Sequence, residues 1–282
     1  MAPYYDGLLA FLFRQLFYRI PEVAPLNLHG KAVLLTGANS GIGLSLAMML
    51  ASQGAEVITA VRSITKGEAA RQQILRALPT ANIEVRQCDL ASFDSVRSFV
   101  RQLKDESKTF DLLILNAGVW CSQWMASADG YDISLQVNVL SNALMAMSLL
   151  PFLRYKNGPP RIVFVTSESH AMVPTPFAQH GRMLDFFNQK AQAFDHYTHY
   201  YTSKLFELLL AQAMSRRIDP GKLSIALVSP GLCKSELFRN VSVSTFASSS
   251  EGVLCQERLW EEIMSILDSV DSDLESHLHL VS

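Results

Sequence analysis

From Lys31 onward, short and nearly continuous apolar runs alternate with longer stretches in which apolar residues recur at helical spacing. The runs Ala32–Leu35, Glu56–Ala60, Ile83–Gln87, Leu112–Leu115, Arg161–Val165 and Leu223–Val228 predict strands. Each is apolar or β-branched over most of its length, as a strand covered on both faces should be. Between and after them, Leu44–Gln53, Gly67–Leu78, Phe93–Lys104 and Lys204–Met214 predict amphipathic helices, and Gln256–Val270 predicts a closing one. Strands alternating with helices in this way specify an α/β fold, a doubly wound parallel sheet forming a single domain. Ligands of such a sheet sit at the carboxyl ends of the strands, near the point where the strand order reverses.

The first thirty residues follow another pattern. Gly7–Ile20 is strongly apolar but broken by Arg14, Gln15 and Arg19, and it is shorter than the roughly 20 residues that span a bilayer. No cleavage site of small residues follows it, which argues against a secretory signal. Two readings stay open. The segment is either a helix docked by its apolar face on the domain or a peripheral anchor, residues 7–20 lying in a membrane interface such as the endoplasmic reticulum surface. Pro21 and Pro25 end it, so residues 1–30 are read as helix and linker, and 31–282 as the domain.

Composition narrows the function. A chain of 282 residues, 49% hydrophobic and 18% charged, can bury a large core. A net charge of -2, with no block of Lys and Arg, argues against a nucleic-acid surface, which needs clustered cations. Cys88, Cys121, Cys233 and Cys255 form no Cys-x-x-Cys pair and no zinc spacing, so free thiols in a reducing, cytoplasmic compartment are expected. His196 and His199 have no evident third ligand, and no metal site is expected.

The candidate chemistry begins at Thr36-Gly37-Ala38-Asn39-Ser40-Gly41-Ile42-Gly43, between the first strand and a helix. Glycines there let the backbone turn tightly and approach a pyrophosphate, whose charge meets the free amides of the helix start. A packing turn is the alternative. The second strand ends at Val61-Arg62, with Lys66 one turn on, and no carboxylate stands where the adenosine ribose of NAD(H) would find one. Two cations there suit a 2'-phosphate and favour NADP(H), the alternative being a solvated helix start. Tyr200 and Lys204 share one helix face at a spacing of four. A phenol titrates near 10, so a neighbouring ammonium is needed to turn it into a working acid or base. Ser167, ending the fifth strand, could orient a carbonyl toward Tyr200. Without a Gly-x-Ser-x-Gly elbow it is a poor nucleophile candidate.

In this order, from about Lys31 to Leu237, the motifs resemble the short-chain dehydrogenase/reductase family, in particular its retinol-dehydrogenase-like branch and fungal reductases of secondary metabolism. The resemblance implies a Rossmann sheet in which Gly37, Ser40, Gly41, Ile42 and Gly43 form the phosphate loop. Arg62 and Lys66 would take the 2'-phosphate, and Asp89 and Leu90 would meet the adenine. It likewise implies that Asn116 and Ala117, in Asn116-Ala117-Gly118, close the fourth strand beside the cofactor, and that Pro230, Leu232 and Ser235 hold the nicotinamide carboxamide. Asn138, Ser167, Tyr200 and Lys204 look like the family's catalytic tetrad, with Asn138 ordering a relay water and Lys204 also anchoring the ribose.

After Leu237 the chain departs from that pattern. Only about 45 residues remain, so residues 238–282 are read as shortened, with six strands and the seventh, edge strand missing or replaced. Asn240–Gly252 is serine-rich and offers at most a short strand at Val241–Phe246. An exposed sixth strand, or an irregular substitute beside it, and an incomplete substrate lid are expected. The leading reading is an NADP(H)-dependent oxidoreductase interconverting a carbonyl and an alcohol on a lipophilic small molecule. A catalytically impaired NADP-binding scaffold is the alternative, and homodimer formation is open.

Overall fold

The computed structural model describes residues 24–154, 158–173, 182–189, 195–231 and 252–282, with side chains in the last stretch from 258 onward. Gly7–Ile20, Val241–Phe246, Leu232 and Ser235 lie outside the described residues. Six parallel strands, β1 (Ala32–Thr36), β2 (Glu56–Val61), β3 (Asn82–Gln87), β4 (Leu112–Leu115), β5 (Arg161–Val165) and β6 (Ser224–Val228), form one sheet in the order β3-β2-β1-β4-β5-β6. The order reverses between β1 and β4, and the candidate residues cluster at the carboxyl ends beside that crevice.

Helices cover both faces. Along one lie α1 (Gly41–Ser52) and α2 (Ile64–Ala77). The other carries α3 (Phe93–Asp105), the short α4 (Ile133–Leu135), a π-helical turn at Gln136–Leu140, α5 (Ser141–Ser148) and α7 (His196–Arg217). The short α6 (Met183–Asn188) precedes α7, and α8 (Gly252–Asp268) and α9 (Leu274–Leu278) follow β6. Start signals are local. Ser63 and Ser92 accept hydrogen bonds from the Lys66 and Ser95 amides, and Asp195 does the same for Tyr197.

The continuous helical stretch from Ile133 to Ser148 is the largest element missing from the sequence expectation. Every residue from Ser134 to Ser148 is buried, so no polar face marks its period, and its Asn and Ser side chains bond inward. Helix α7 also starts eight residues before the amphipathic pattern suggests, because its first turns carry aromatic and polar residues directed into the site.

The C-terminal segment docks on the same layer. Glu262 accepts from the Met183 and Leu184 amides at 2.8 and 2.7 Å, capping α6, and the Arg217 guanidinium lies 4.5 Å over the Trp260 ring. Leu274 and Val281 are fully buried. Strand β6 has β5 as its sheet neighbour and ends the sheet, with Leu227 and Val228 36% and 46% exposed. Among the described residues β6 is therefore the edge of the sheet.

Asp111 ties the beginning of the sheet together. Its carboxylate accepts from the Ala32 amide at 2.9 Å and pairs with Lys31 at 3.0 Å and Arg154 at 2.7 Å. Burial would raise this carboxyl, but the Ala32 amide, Lys31 and Arg154 together hold it below its ordinary value. A depressed carboxyl stabilises the fold above its unfolded pKa, and the contribution is lost as pH falls through the lower folded value. Asp111→Asn is therefore expected to lower unfolding stability at neutral pH. In urea denaturation, its gap to wild type should begin to narrow as the pH falls below about 4, the ordinary carboxylate range, and close only below the depressed folded value.

Candidate active site

The glycine loop is built for close approach. Gly37 and Gly41 have φ of +71° and +55°, where side chains are strained. A Cβ on Gly43 would stand 2.3 Å from the Gly37 carbonyl oxygen and 2.6 Å from Asn116 Nδ2, so only glycine fits there. Ser40 sits at the N-cap of α1 without capping it by its side chain, and no acidic residue occupies the first turn. The first amides of a helix lack partners within it, Ser40 gives them no side-chain cap, and Ile42 beside them is half-buried. Thr36 Oγ1 accepts from the Asn116 and Ala117 amides at 3.0 and 2.9 Å, and Asn116 Nδ2 donates to the Thr36 carbonyl at 2.9 Å, locking the ends of β1 and β4 together.

At the end of β2, Arg62 and Lys66 are exposed and form no ion pair among the described residues. Past β3, Asp89 accepts from the Ala91 amide at 3.0 Å while its own amide donates to Ser95 Oγ at 2.9 Å, and Leu90 is buried. Pro230 follows β6 at the same edge of the sheet.

The four tetrad candidates meet. Asn138 Oδ1 accepts from the Val119 amide at 2.8 Å, and its Nδ2 donates to the Val119 carbonyl at 3.0 Å and to Ser203 Oγ at 2.9 Å. This side chain pins the segment after β4 to α7. A Cβ on Gly118 would lie 3.3 Å from Asn138 Oδ1 and 3.5 Å from Lys204 Nζ, so that glycine lets the strand end reach the lysine. Lys204 Nζ donates to the Val165 carbonyl at 3.1 Å and to Glu207 Oε2 at 2.8 Å. The Ser167 hydroxyl, at the end of β5, faces the Tyr200 phenol and accepts from Ser169 Oγ at 2.8 Å.

Residues 31–179 match the short chain dehydrogenase family, more than half of the chain. This chain belongs to the short-chain dehydrogenase family. It is 37% identical over 243 residues to the short-chain dehydrogenase fogG of Aspergillus ruber, covering 83% of this chain and 70% of that one. Its fold is shared with a short-chain type dehydrogenase/reductase from Mycobacterium marinum (TM-score 0.57, 26% identity, 76% of this chain and 77% of that one). It is also shared with a short chain dehydrogenase from Shigella flexneri complexed with NADP (TM-score 0.58, 20% identity, 78% and 86%). Membership supports nicotinamide-dependent oxidoreductase activity in general.

In this dehydrogenase the electrostatics of Tyr200 correct the simple expectation of a phenol made more acidic. Tyr200 is 4% exposed, and burial raises it above its ordinary value. The Lys204 ammonium opposes that rise, the Glu207 carboxylate adds to it, and the Ser167 hydroxyl opposes it, so the net displacement is upward. Burial alone would lower the Lys204 ammonium, but Glu207, then Tyr200, hold it above its ordinary value.

Two participants lie outside the catalytic and cofactor-binding residues named from the sequence, although Trp120 begins a stretch, Trp120–Met125, that the sequence offers as a pocket wall. The Trp120 ring stacks on Tyr200, with centroids 4.5 Å apart and planes 2° apart, and it meets Tyr197 edge-on at 5.4 Å. Its place two residues after the Asn-Ala-Gly turn was the available signal. Glu207 lies one turn beyond Lys204, where a carboxylate in an amphipathic stretch reads as a solvated face, yet it is fully buried. The two histidines diverge: His196 lies 6.4 Å from Trp120, while His199 packs on Phe187 at 4.6 Å. Cys88 and Cys121 are free, and burial, with Asp89, pushes the Cys88 thiol up to about 12.

Proposed function

We propose that this protein is an NADP(H)-dependent oxidoreductase that interconverts a carbonyl and an alcohol on a lipophilic small molecule. The reading is carried by one juxtaposition: Tyr200, with Lys204 on the same helix and Ser167 facing it, buried at the carboxyl end of β5. The residues present fit a dinucleotide. The loop packs so closely at Gly37 and Gly43, against Ala117 and Asn116, that no Cβ fits, which keeps the turn tight, and the first turn of α1 keeps its amides for an anion. Gly37, Ser40, Gly41, Ile42 and Gly43 would hold the pyrophosphate, Arg62 and Lys66 the 2'-phosphate, Asp89 and Leu90 the adenine, and Asn116, Ala117, Pro230, Leu232 and Ser235 the nicotinamide half. Bound there, the cofactor supplies or accepts the hydride.

The chain's own residues do the rest. The Ser167 hydroxyl donates a hydrogen bond to the substrate oxygen and fixes its distance from Tyr200. The Tyr200 phenol gives its proton to that oxygen as negative charge develops in reduction, and takes it back in oxidation. Lys204 stabilises the phenolate left behind, and Asn138 holds the segment after β4 against α7 so that both groups keep their places. Trp120, Tyr197 and Tyr201 supply an aromatic wall beside the phenol, which suits an apolar substrate.

A titration with NADPH and NADH, in wild type and Arg62→Ala, tests the cofactor half. Wild type is expected to bind NADPH more tightly, and the substitution to weaken NADPH about tenfold while leaving NADH unchanged, the loss of one charge-assisted contact. Tighter binding of NADH by wild type would overturn the assignment.

A further inference from the structure

Glu207 takes no part in the mechanism just given, yet it is the most deeply placed charge in the site. It is 0% exposed. Its Oε2 accepts from Lys204 Nζ at 2.8 Å, and its Oε1 accepts from Asn142 Nδ2 at 3.1 Å. Asn142 Nδ2 also donates to the backbone carbonyl of Asn138 at 3.1 Å, so the carboxylate is clamped between the lysine and the Asn142 side chain of α5. A buried carboxylate is retained only where it is paired and hydrogen-bonded, and both conditions are met here.

We propose that Glu207 is a positioning residue that neutralises the Lys204 ammonium and keeps Tyr200 in its protonated, proton-donating form, setting the site for carbonyl reduction. The inference rests on the reading of Tyr200 as the acid and deepens it. Its basis is a count of charges. With the phenol protonated, Tyr200, Lys204 and Glu207 together are neutral, and loss of one proton leaves a net negative charge in a buried cluster. The charges acting on Tyr200 are those of Lys204 and Glu207; burial pushes the Glu207 carboxyl up, and the Lys204 ammonium and the Asn142 amide, both hydrogen-bonded to it, oppose that rise and favour the carboxylate. The groups facing the cluster from neighbouring elements are neutral: Asn138 and Asn142 amides, the Ser167 hydroxyl and the Val165 carbonyl. Lysine alone would favour the phenolate, which is the base needed for alcohol oxidation. The lysine–glutamate pair favours the phenol, which is the acid needed for reduction.

In Glu207→Gln the amide oxygen can still accept from Lys204, but the protonated cluster carries an uncompensated buried charge, which loss of one proton removes. The Val165 carbonyl and the glutamine oxygen continue to accept from Nζ, so the ammonium is kept and the phenol gives up the proton. The test is a tyrosinate absorbance titration of the whole chain, each form measured against the same form carrying Tyr200→Phe so that the other tyrosines cancel. The Tyr200 midpoint is expected to fall by about one unit or more in Glu207→Gln, a tenfold change in proton affinity. The alkaline limb of kcat/KM for reduction should move down with it. An unchanged or raised midpoint overturns the proposal.

If Glu207→Gln fails to fold, Lys204→Met combined with Glu207→Leu tests the same balance. With both charges gone, the midpoint is expected to stay within about half a unit of wild type, and a rise of about one unit or more would show that the ammonium had not been neutralised. The titration needs neither cofactor nor substrate. It therefore fails or succeeds independently of the NADP(H) assignment, which would be lost if the midpoints moved as expected but no carbonyl were reduced.

Discussion

Tyr200→Phe is expected to lower kcat for carbonyl reduction by about 10²–10⁴-fold, the usual contribution of a positioned general acid. The ring of Phe keeps its stacking on Trp120, and the substitution removes one oxygen from a site that is 4% exposed, so the fold should be retained. NADPH affinity should change by no more than a few fold, because the phosphate loop and Arg62 are untouched. The combination distinguishes lost chemistry from lost binding: KM stays near wild type while kcat falls. Single-turnover kinetics with saturating NADPH would measure it directly. A variant that kept more than about a tenth of wild-type kcat would show that the proton comes from elsewhere.

Glu207→Leu is expected to cost about 3–5 kcal/mol of unfolding free energy, because it leaves the Lys204 ammonium buried with no carboxylate partner. Of the hydrogen bonds now made by Nζ, the one to the Val165 carbonyl at 3.1 Å would remain, and that is too little to replace an ion pair. Lys204→Met added to Glu207→Leu should recover most of the loss, since a buried pair replaced by apolar groups of similar size is commonly tolerated. Urea denaturation at neutral pH gives both numbers. A single-variant loss below about 1 kcal/mol would mean that the pair is solvated and does not control the charge of the site.

The strand plan was legible because the inner strands β1, β2 and β4 are covered on both faces and their apolar runs are nearly unbroken. β4 and β5 have the bounds the pattern predicts, and the others differ by a residue or so at an end. The glycine loop was legible for a different reason. Gly37 and Gly41 need positive φ and Gly43 needs the absence of a Cβ, three constraints that leave a spacing in the sequence. Ile133–Ser148 was not legible as a helix, since a helix buried on every side has no amphipathic period, and its Asn138, Ser141 and Asn142 look like loop residues until their inward hydrogen bonds are seen. The charge state of Tyr200 was hidden too. Its spacing from Lys204 reports one ammonium, whereas the effective charge depends on the burial of Glu207, which no local pattern encodes.

The central claim is that hydride passes between a nicotinamide and a carbonyl carbon held against Tyr200. Its most direct test supplies NADPH deuterated at the nicotinamide C4, on the face that is transferred, together with a panel of lipophilic ketones and aldehydes, and analyses the alcohols by mass spectrometry. The account predicts deuterium on the former carbonyl carbon with wild type and its loss with Tyr200→Phe. NADPH that binds at the glycine loop but delivers no label to any carbonyl, or label transfer equal in the two proteins, would contradict it.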